Sequence, residues 1–403
     1  MKKLLYISLL CLSSLAAAQF SMDRFLAESV TDIELSEVKA SLEYIGNNRF
    51  RSPWIREMEI RARSNDSELG LEDYRLRFGL LNPGEQRANR QYHNQLTTTT
   101  RLRLDTDLND VLHQRYRLMI ENMRLTALDT LLKVEQLRMT IEKEIALAGS
   151  DLEKVLETED DIFRLEMDLL GNQQKLKVNH FLIGERLEFD GTIELDTTMF
   201  LSFQSLMDKI SWAATNEEDR YQELAEEESK LRSVLYDIEK AESRSNIGFI
   251  QAEYDIERGN EFNEHLGYQV GVTLPVFNAD RPKLERDKLK LESRNQSSQI
   301  ERSERERAKS FYKQEVDFMM AKWDLLQKEL YQIDDRTSAY NKTEIVLFVQ
   351  KKRLNLQKQL IDLYLEAMED YVGVLHLKGV LSSSPLRNYL SKGQHIIDTP
   401  PQN

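Results

Sequence analysis

Alternation of apolar and polar positions predicts four β-strands arranged as two hairpins. Residues 54–63 and 72–81 alternate with period two around a turn-rich segment, and residues 247–257 and 265–277 repeat the pattern. The predicted apolar faces carry Tyr74, Leu76, Phe78, Leu80, Ile250, Tyr254, Ile256, Tyr268, Val270, Val272 and Leu274. Strands of about ten residues are long enough to cross a bilayer at a tilt, so we predict that these side chains face lipid.

Each hairpin is followed by a long charged stretch that predicts a long helix. These helices, at 85–148 and 283–342, would span about 95 Å and 90 Å at 1.5 Å per residue. Shorter helices are predicted at 151–178, 203–244, 346–380 and about 21–46. The summed length of two short helices placed end to end would match the length of one long helix. The same order of elements recurs after roughly 195 residues, which indicates an internal duplication.

The domain organisation follows from this duplication. The first repeat is expected over 19–200, with a linker at 179–202, and the second over 203–380. A tail at 381–403 would lie, like the linker, near the middle of the long helices. The helix at 346–380 carries two adjacent apolar stripes, which suit a helix with neighbours on both sides, as in the wall of a cylinder. We therefore predict a mainly α fold with a membrane β-barrel part, in which long antiparallel helices form a periplasmic tunnel.

Four strands cannot close a barrel. Open edges in lipid would leave backbone groups unpaired at several kcal/mol each, so several chains must contribute strands to one barrel. The sequence therefore predicts a homo-oligomer in contact with outer-membrane lipid.

The N-terminus and the composition agree with an exported protein. Residues 1–18 have the basic, apolar and small-residue segments of a cleavable signal peptide, which would remove Cys11, the only cysteine. Loss of Lys2 and Lys3 with the signal changes the formal charge from −14 to −16, with 53 basic against 69 acidic side chains. Such an acidic chain is a poor partner for nucleic acid.

Motifs for catalysis are missing from the sequence. The histidines do not pair at helical spacing, and we find neither a phosphate-binding glycine loop nor a nucleophile elbow. The sequence therefore predicts no enzyme activity, no metal site and no cofactor.

The strand Leu266-Gly-Tyr-Gln-Val-Gly-Val-Thr-Leu-Pro-Val-Phe-Asn278, which leads into a long charged helix, resembles the outer-membrane efflux duct family, the TolC-like proteins. The segment 364–371 resembles the closing helix of that family. The resemblance implies an outer-membrane homotrimer with a twelve-stranded barrel. It also implies a periplasmic extension that docks onto a periplasmic adaptor and an inner-membrane transporter, forming an exit duct for efflux or secretion.

The ends of the long helices are the predicted tips of the tunnel. Gly149, Ser150 and Asp151 form the first tip, and Tyr340, Thr343 and Glu344 form the second. These residues are candidates for adaptor contact or for a pore entrance that Asp151 and Glu344 make selective for cations. The alternative is that the two acids favour a helix N-terminus.

A second function class remains open at this stage. A periplasmic coiled-coil scaffold or envelope spacer would also contain long charged helices, but it would transport nothing. The strands discriminate between the two, because a soluble scaffold has no need for four bilayer-length strands with apolar faces.

Overall fold

The computed structural model describes residues 22–48, 54–64, 71–81, 83–186, 200–215, 219–243, 246–258, 262–273, 281–337, 343–393 and 396–397. The predicted signal peptide at 1–18 lies outside these residues. The helices are α1 (Met22–Ala27), α2 (Ser36–Asn47), α3 (Pro83–Ala148), α4 (Leu152–Glu185), α5 (Phe203–Thr215), α6 (Arg220–Glu242), α7 (Arg281–Thr337) and α8 (Thr343–Leu377). The strands are β1 (Ile55–Ser64), β2 (Leu71–Leu80), β3 (Asn246–Arg258) and β4 (Phe262–Thr273).

The four predicted strands form one antiparallel sheet in the order β1-β2-β3-β4. The pairing of β2 with β3 joins the hairpin of the first repeat to that of the second. Most strand ends lie within three residues of the prediction, and the predicted end of the last strand at 277 lies outside the described residues. Within the described chain, the outer edges of β1 and β4 have no strand partner.

Two helices are much longer than the rest. The 66 residues of α3 span about 100 Å and the 57 residues of α7 about 85 Å at 1.5 Å per residue. In α3 the hydroxyls of Thr97, Thr98, Thr99 and Thr100 each donate to the carbonyl four residues earlier. These bonds satisfy four consecutive polar β-branched side chains without help from outside the helix.

Three predicted helices need correction. The helix expected at 21–46 is interrupted by two 3-10 turns, Glu28–Thr31 and Ile33–Leu35. The helix expected at 203–244 is split into α5 and α6. Asp219 directly precedes α6 and is buried. It accepts a hydrogen bond of 3.1 Å from Lys309 Nζ, so a contact with α7 stabilises the break between α5 and α6.

The third correction concerns α4, which continues to Glu185 through the start of the predicted linker. Two polar residues of α4, Asn172 and Asn179, are buried in a helix contact. Asn172 and Asn179 donate to the α3 carbonyls of Leu125 and Leu118, at 2.9 and 3.2 Å. Because their amides are satisfied by α3, both asparagines can lie on the inner face of α4.

The chain divides into two compact units. One comprises Met1–Ser36, Asp105–Asp219 and Arg305–Asn403, and the other Glu37–Leu104 and Arg220–Glu304, which includes the sheet. The first unit contains a large apolar core built from α1, α3, α4, α5, α7, α8 and the tail. Most residues of both predicted stripes of α8 are buried in it, namely Leu360, Leu365, Ala367, Met368, Tyr371, Val372, Val374 and Leu375.

A buried arginine explains the break after α1. The Arg115 side chain of α3 is 2% exposed and lies 2.8 Å from Asp32 Oδ2. It also donates to the carbonyls of Phe25 and Glu28 and lies over the Phe25 ring. Since these carbonyls point at a guanidinium, the chain turns between α1 and α2 and does not continue as a helix.

Replacement of Arg115 by Met should destabilise the first unit by about 3–5 kcal/mol, because it leaves the buried Asp32 carboxylate without its main partner. Denaturant unfolding followed by helical circular dichroism measures the loss. The matched control is Arg24→Met, since Arg24 also pairs with an acid but its side chain is 68% exposed. Equal effects of the two substitutions would contradict the role assigned to Arg115.

Candidate functional site

One face of the sheet is apolar across all four strands. The register places apolar residues opposite one another on neighbouring strands. This face consists of Met58, Ile60 and Ala62 on β1, Tyr74, Leu76 and Phe78 on β2, Ile250, Ala252 and Tyr254 on β3, and Leu266, Tyr268 and Val270 on β4. Ile60, Tyr268 and Val270 are 68%, 76% and 69% exposed. A continuous apolar face of this size requires a cover of lipid or protein.

Most of the predicted lipid-facing residues are brought together on this face. They are Tyr74, Leu76, Phe78, Ile250, Tyr254, Tyr268 and Val270. Leu80 follows Phe78 by two residues and pairs with Ile55 beyond a register shift in β1. The backbones of Ile256 and Val272 belong to β3 and β4, but their side chains, like all of Leu274, lie outside the described set.

The opposite face of the sheet is charged. Glu59 lies on β1, Arg75 and Arg77 on β2, and Glu253 on β3. Arg75 pairs with Glu253 across the strands, and Arg61 pairs with Glu59 at 2.6 Å along β1. Arg77 is 3.9 Å from Glu59. The sheet therefore separates an apolar surface from one that needs water.

The first predicted tip is a tight turn between α3 and α4. Ser150 has φ +58°, and the amides of Gly149 and Asp151 donate to α3 carbonyls at 2.9 and 3.1 Å. Asp151 Oδ1 accepts the Lys154 amide at 3.1 Å, so its carboxylate caps α4, as the helix N-terminus alternative expects. The exposed side chains of Leu147 and Leu152 flank the turn.

The second predicted tip can be placed only in part. Tyr340 lies outside the described residues, and α8 begins at Thr343. The side chains of Thr343 and Glu344 also lie outside them. The role of this tip therefore stays a prediction.

Two helices of the first unit carry exposed apolar stripes with seven-residue spacing. The α4 stripe consists of Leu156, Phe163 and Leu170, and the α7 stripe of Phe311, Phe318 and Leu325. Every member is 56–65% exposed. A seven-residue repeat is typical of helices that pack side by side in a coiled coil. Sequence reasoning missed both stripes, because it followed the apolar positions that the chain buries in its own core.

Sequence reasoning also missed an acidic cluster on α7 and α8. Burial raises the pKa of Asp370 to about 7, and the charges of Glu366, Glu315 and Glu369 add to the shift. Glu369 is paired with Arg124 at 3.0 Å. The sequence contains one signal for this cluster. Asp370 is an acidic residue that directly precedes Tyr371, a member of an apolar stripe of α8.

No helix among the described residues is long and apolar enough to cross a membrane. In the same part of the chain, no three histidine, cysteine, aspartate or glutamate side chains are grouped to hold a metal ion.

Comparison with solved structures gives matches over nearly the whole chain. A channel named CusC superposes with a TM-score of 0.58 at 13% identity, covering 91% of this chain and 95% of that one. The outer membrane protein VceC of Vibrio cholerae gives 0.55 at 13% identity, covering 89% and 96%. The MtrE outer membrane channel of Neisseria gonorrhoeae, in its open state, gives 0.58 at 10% identity, covering 89% and 88%. No protein-family model matches the sequence, and no curated protein does.

The chain thus has the fold of the TolC-like outer membrane channels. The predicted fold class is confirmed, with its long helices, its duplicated order and its four barrel-type strands. At this level of identity the likeness establishes the fold.

Asp370→Asn should stabilise the protein above pH 7 by about 1–2 kcal/mol, a value reduced for the partial exposure of Asp370. The pKa of this carboxyl is raised in the folded state, so the penalty for its charge grows as pH rises from about 4 to about 7. Unfolding free energies of both proteins across this range measure the effect. A gain that is equally large at pH 4 would argue against it.

Ser150→Gly should slow amide exchange in the turn and the first residues of α4, because glycine adopts a positive φ without the cost of about 1 kcal/mol that serine incurs. Hydrogen exchange resolved to residues 147–156 measures the change. Gly149→Ala serves as the control, since a Cβ there meets only ordinary contacts at 3.5 Å. Unchanged exchange in the serine variant would count against strain at Ser150.

Proposed function

We propose that the protein is an outer-membrane channel of an efflux or secretion system, built from three copies of the chain. The observation that carries this proposal is the sheet, which has one apolar face, one charged face and two edges without a strand partner in the described chain. Lipid covers the apolar face and water fills the space behind the charged face.

Three copies close the sheet. Neighbouring strands alternate in direction, so β4 of one copy meets β1 of the next in an antiparallel pair. Closure satisfies the edge backbone groups, each of which would otherwise cost several kcal/mol in hydrocarbon. Three sheets of four strands give twelve strands, an even number within the range of bacterial outer-membrane barrels.

The helical stripes supply a second contact between copies. Residues 152–170 of α4 carry seven acidic and two basic side chains, whereas residues 305–328 of α7 carry six basic and four acidic ones. The α4 stripe of one copy therefore packs against the α7 stripe of the next, with opposite charges at its margins. This arrangement forms a helical duct in the periplasm.

The partners follow from the resemblance and from the tip. The family resemblance implies a periplasmic adaptor and an inner-membrane transporter. The exposed pair of Leu147 and Leu152 beside the α3–α4 turn suits an apolar contact with the adaptor. The protein itself acts as a conduit and catalyses no reaction.

The first test is the oligomeric state and conductance of the mature protein extracted in detergent. A trimer on gels that boiling converts to monomer, together with discrete currents across a planar bilayer, is the expected result. A water-soluble monomer or dimer that never inserts would eliminate the channel and favour the coiled-coil scaffold.

Phe163→Ser and Phe318→Ser should each lower the temperature at which the trimer dissociates on gels. Each removes about 1.5–3 kcal/mol of apolar burial per copy if the stripes meet. Ile33→Ser is the control, because Ile33 is 83% exposed and belongs to neither stripe. If the stripe variants dissociate at the same temperature as the control, the two stripes do not pair.

A further inference from the structure

Two histidines that are far apart in sequence lie against each other where α8 ends. The rings of His113 on α3 and His376 in the last turn of α8 are stacked, with centres 4.0 Å apart and planes inclined by 13°. His376 Nε2 is 2.8 Å from Oδ1 of Asp110, which lies one turn before His113 on α3. We name these three residues the histidine clasp. It joins two helices that both contribute to the core of the first unit.

The clasp lies beside the turn that leads from α8 into the tail. Asn109 of α3 binds both sides of this turn. Its amide donates to the His376 carbonyl at 3.1 Å, and its Oδ1 accepts the Leu381 amide at 3.0 Å. Farther along α3, the Tyr116 hydroxyl accepts the Tyr389 amide at 3.0 Å. Polar side chains on the same stretch of α3 as the clasp therefore attach the tail.

The charges around the clasp oppose a second proton. One protonated imidazole would lie beside the Asp110 carboxylate, whereas two would place positive charges on rings whose centres are 4.0 Å apart. Arg117, also on α3, adds to this repulsion. Burial, His376 and Arg117 lower the pKa of His113 to about 4, while Asp110 acts in the opposite direction. The stacked arrangement is therefore favoured when His113 is neutral.

We propose that the histidine clasp makes the attachment of the tail sensitive to acid, holding the junction of α8 and the tail on α3 at neutral pH and releasing it as the pH falls. A proton on His113 is less favourable in the closed junction than in an opened one, where water surrounds the ring. Local opening of this kind needs no loss of the remaining fold.

The direction of the pH dependence follows from the lowered pKa of His113. The stability that the clasp supplies is complete above the ordinary histidine pKa of about 6.5 and decreases as the pH falls toward 4. Leu381, Tyr389 and Leu390 of the tail are buried, and release would expose these apolar side chains. Release concerns each copy of the chain by itself and does not depend on conduction.

Amide hydrogen exchange of the full-length mature protein tests the clasp. The amides of Leu381 and Tyr389 report on it directly, because each is bound by a side chain of α3. Exchange of residues 378–391, divided by the intrinsic rate at each pH, gives the opening equilibrium constant. This constant should rise about 10- to 30-fold between pH 7 and pH 5. The upper value follows from pKa values of about 6.5 in the open and about 4 in the closed state, and the lower one allows for solvent screening.

Three variants separate the proton on His113 from other effects of acid. His113→Phe keeps an aromatic ring in the stack without a charge, so its opening constant should be the same at pH 7 and pH 5. His93→Phe makes the same substitution elsewhere on α3 and should leave the wild-type response intact. Arg117→Gln removes a nearby positive charge at an exposed position and should reduce the rise at pH 5. Helical circular dichroism at pH 7 establishes that each variant is folded.

An opening constant of the wild type that stays the same at pH 5 would overturn the proposal. A rise that His113→Phe retains in full would do so too, because the proton would then act elsewhere. If that variant does not fold, an undiminished rise in Arg117→Gln decides against the clasp. Residues 158–172 of α4 serve as the reference within the same unit. An equal rise there would show that acid loosens the whole unit, which contradicts a local release of the tail.

Discussion

The backbone groups along the two outer edges of the sheet impose the strongest constraint on this protein. A four-stranded sheet with one apolar face cannot rest in hydrocarbon while β1 and β4 each present an edge without a strand partner in the described chain. Under the proposed function, lipid contact and assembly are therefore one requirement. The strand order answers it directly, because alternating directions let the last strand of one copy continue the sheet of the next.

Buried polar contacts play a corresponding part among the helices. Arg115 fixes the turn after α1, Asp219 is bound by Lys309 at the break before α6, and Asn172 and Asn179 bind α4 to carbonyls of α3. These groups set where helices end and which faces meet. A buried polar group loses its hydrogen bonds completely when its partner is removed. These contacts therefore favour one arrangement of the helices, whereas apolar packing alone would allow several.

Sequence patterns predicted the elements well where one rule governs the residues. Period-two alternation located all four strands, because one face of each strand has to be apolar. The limits of the shorter helices were missed where a distant residue decides the local structure. Nothing near residue 32 indicates that Arg115, far away in sequence, will hold the turn. The extension of α4 beyond residue 178 was missed for the same reason, because the α3 carbonyls that bind Asn172 and Asn179 cannot be known before the helices pack.

The sequence likewise predicted one part of the candidate site and missed another. The apolar face of the sheet followed from alternation, whereas the pairing of Arg75 with Glu253 across the strands required the register between β2 and β3. The exposed stripes of α4 and α7 are visible in the sequence as seven-residue repeats. Which apolar repeat a chain buries in itself and which it leaves for another copy depends on the three-dimensional packing.

The apolar core of the first unit also bears on the order of events during biogenesis. It is formed by residues of a single chain and already encloses both stripes of α8. This core therefore needs neither a membrane nor a second copy to bury its apolar side chains. The sheet has no such protection, since its apolar face and open edges would seed aggregation in water. The helical core can thus form within one chain, whereas the strands reach their final state only under a cover of lipid or protein.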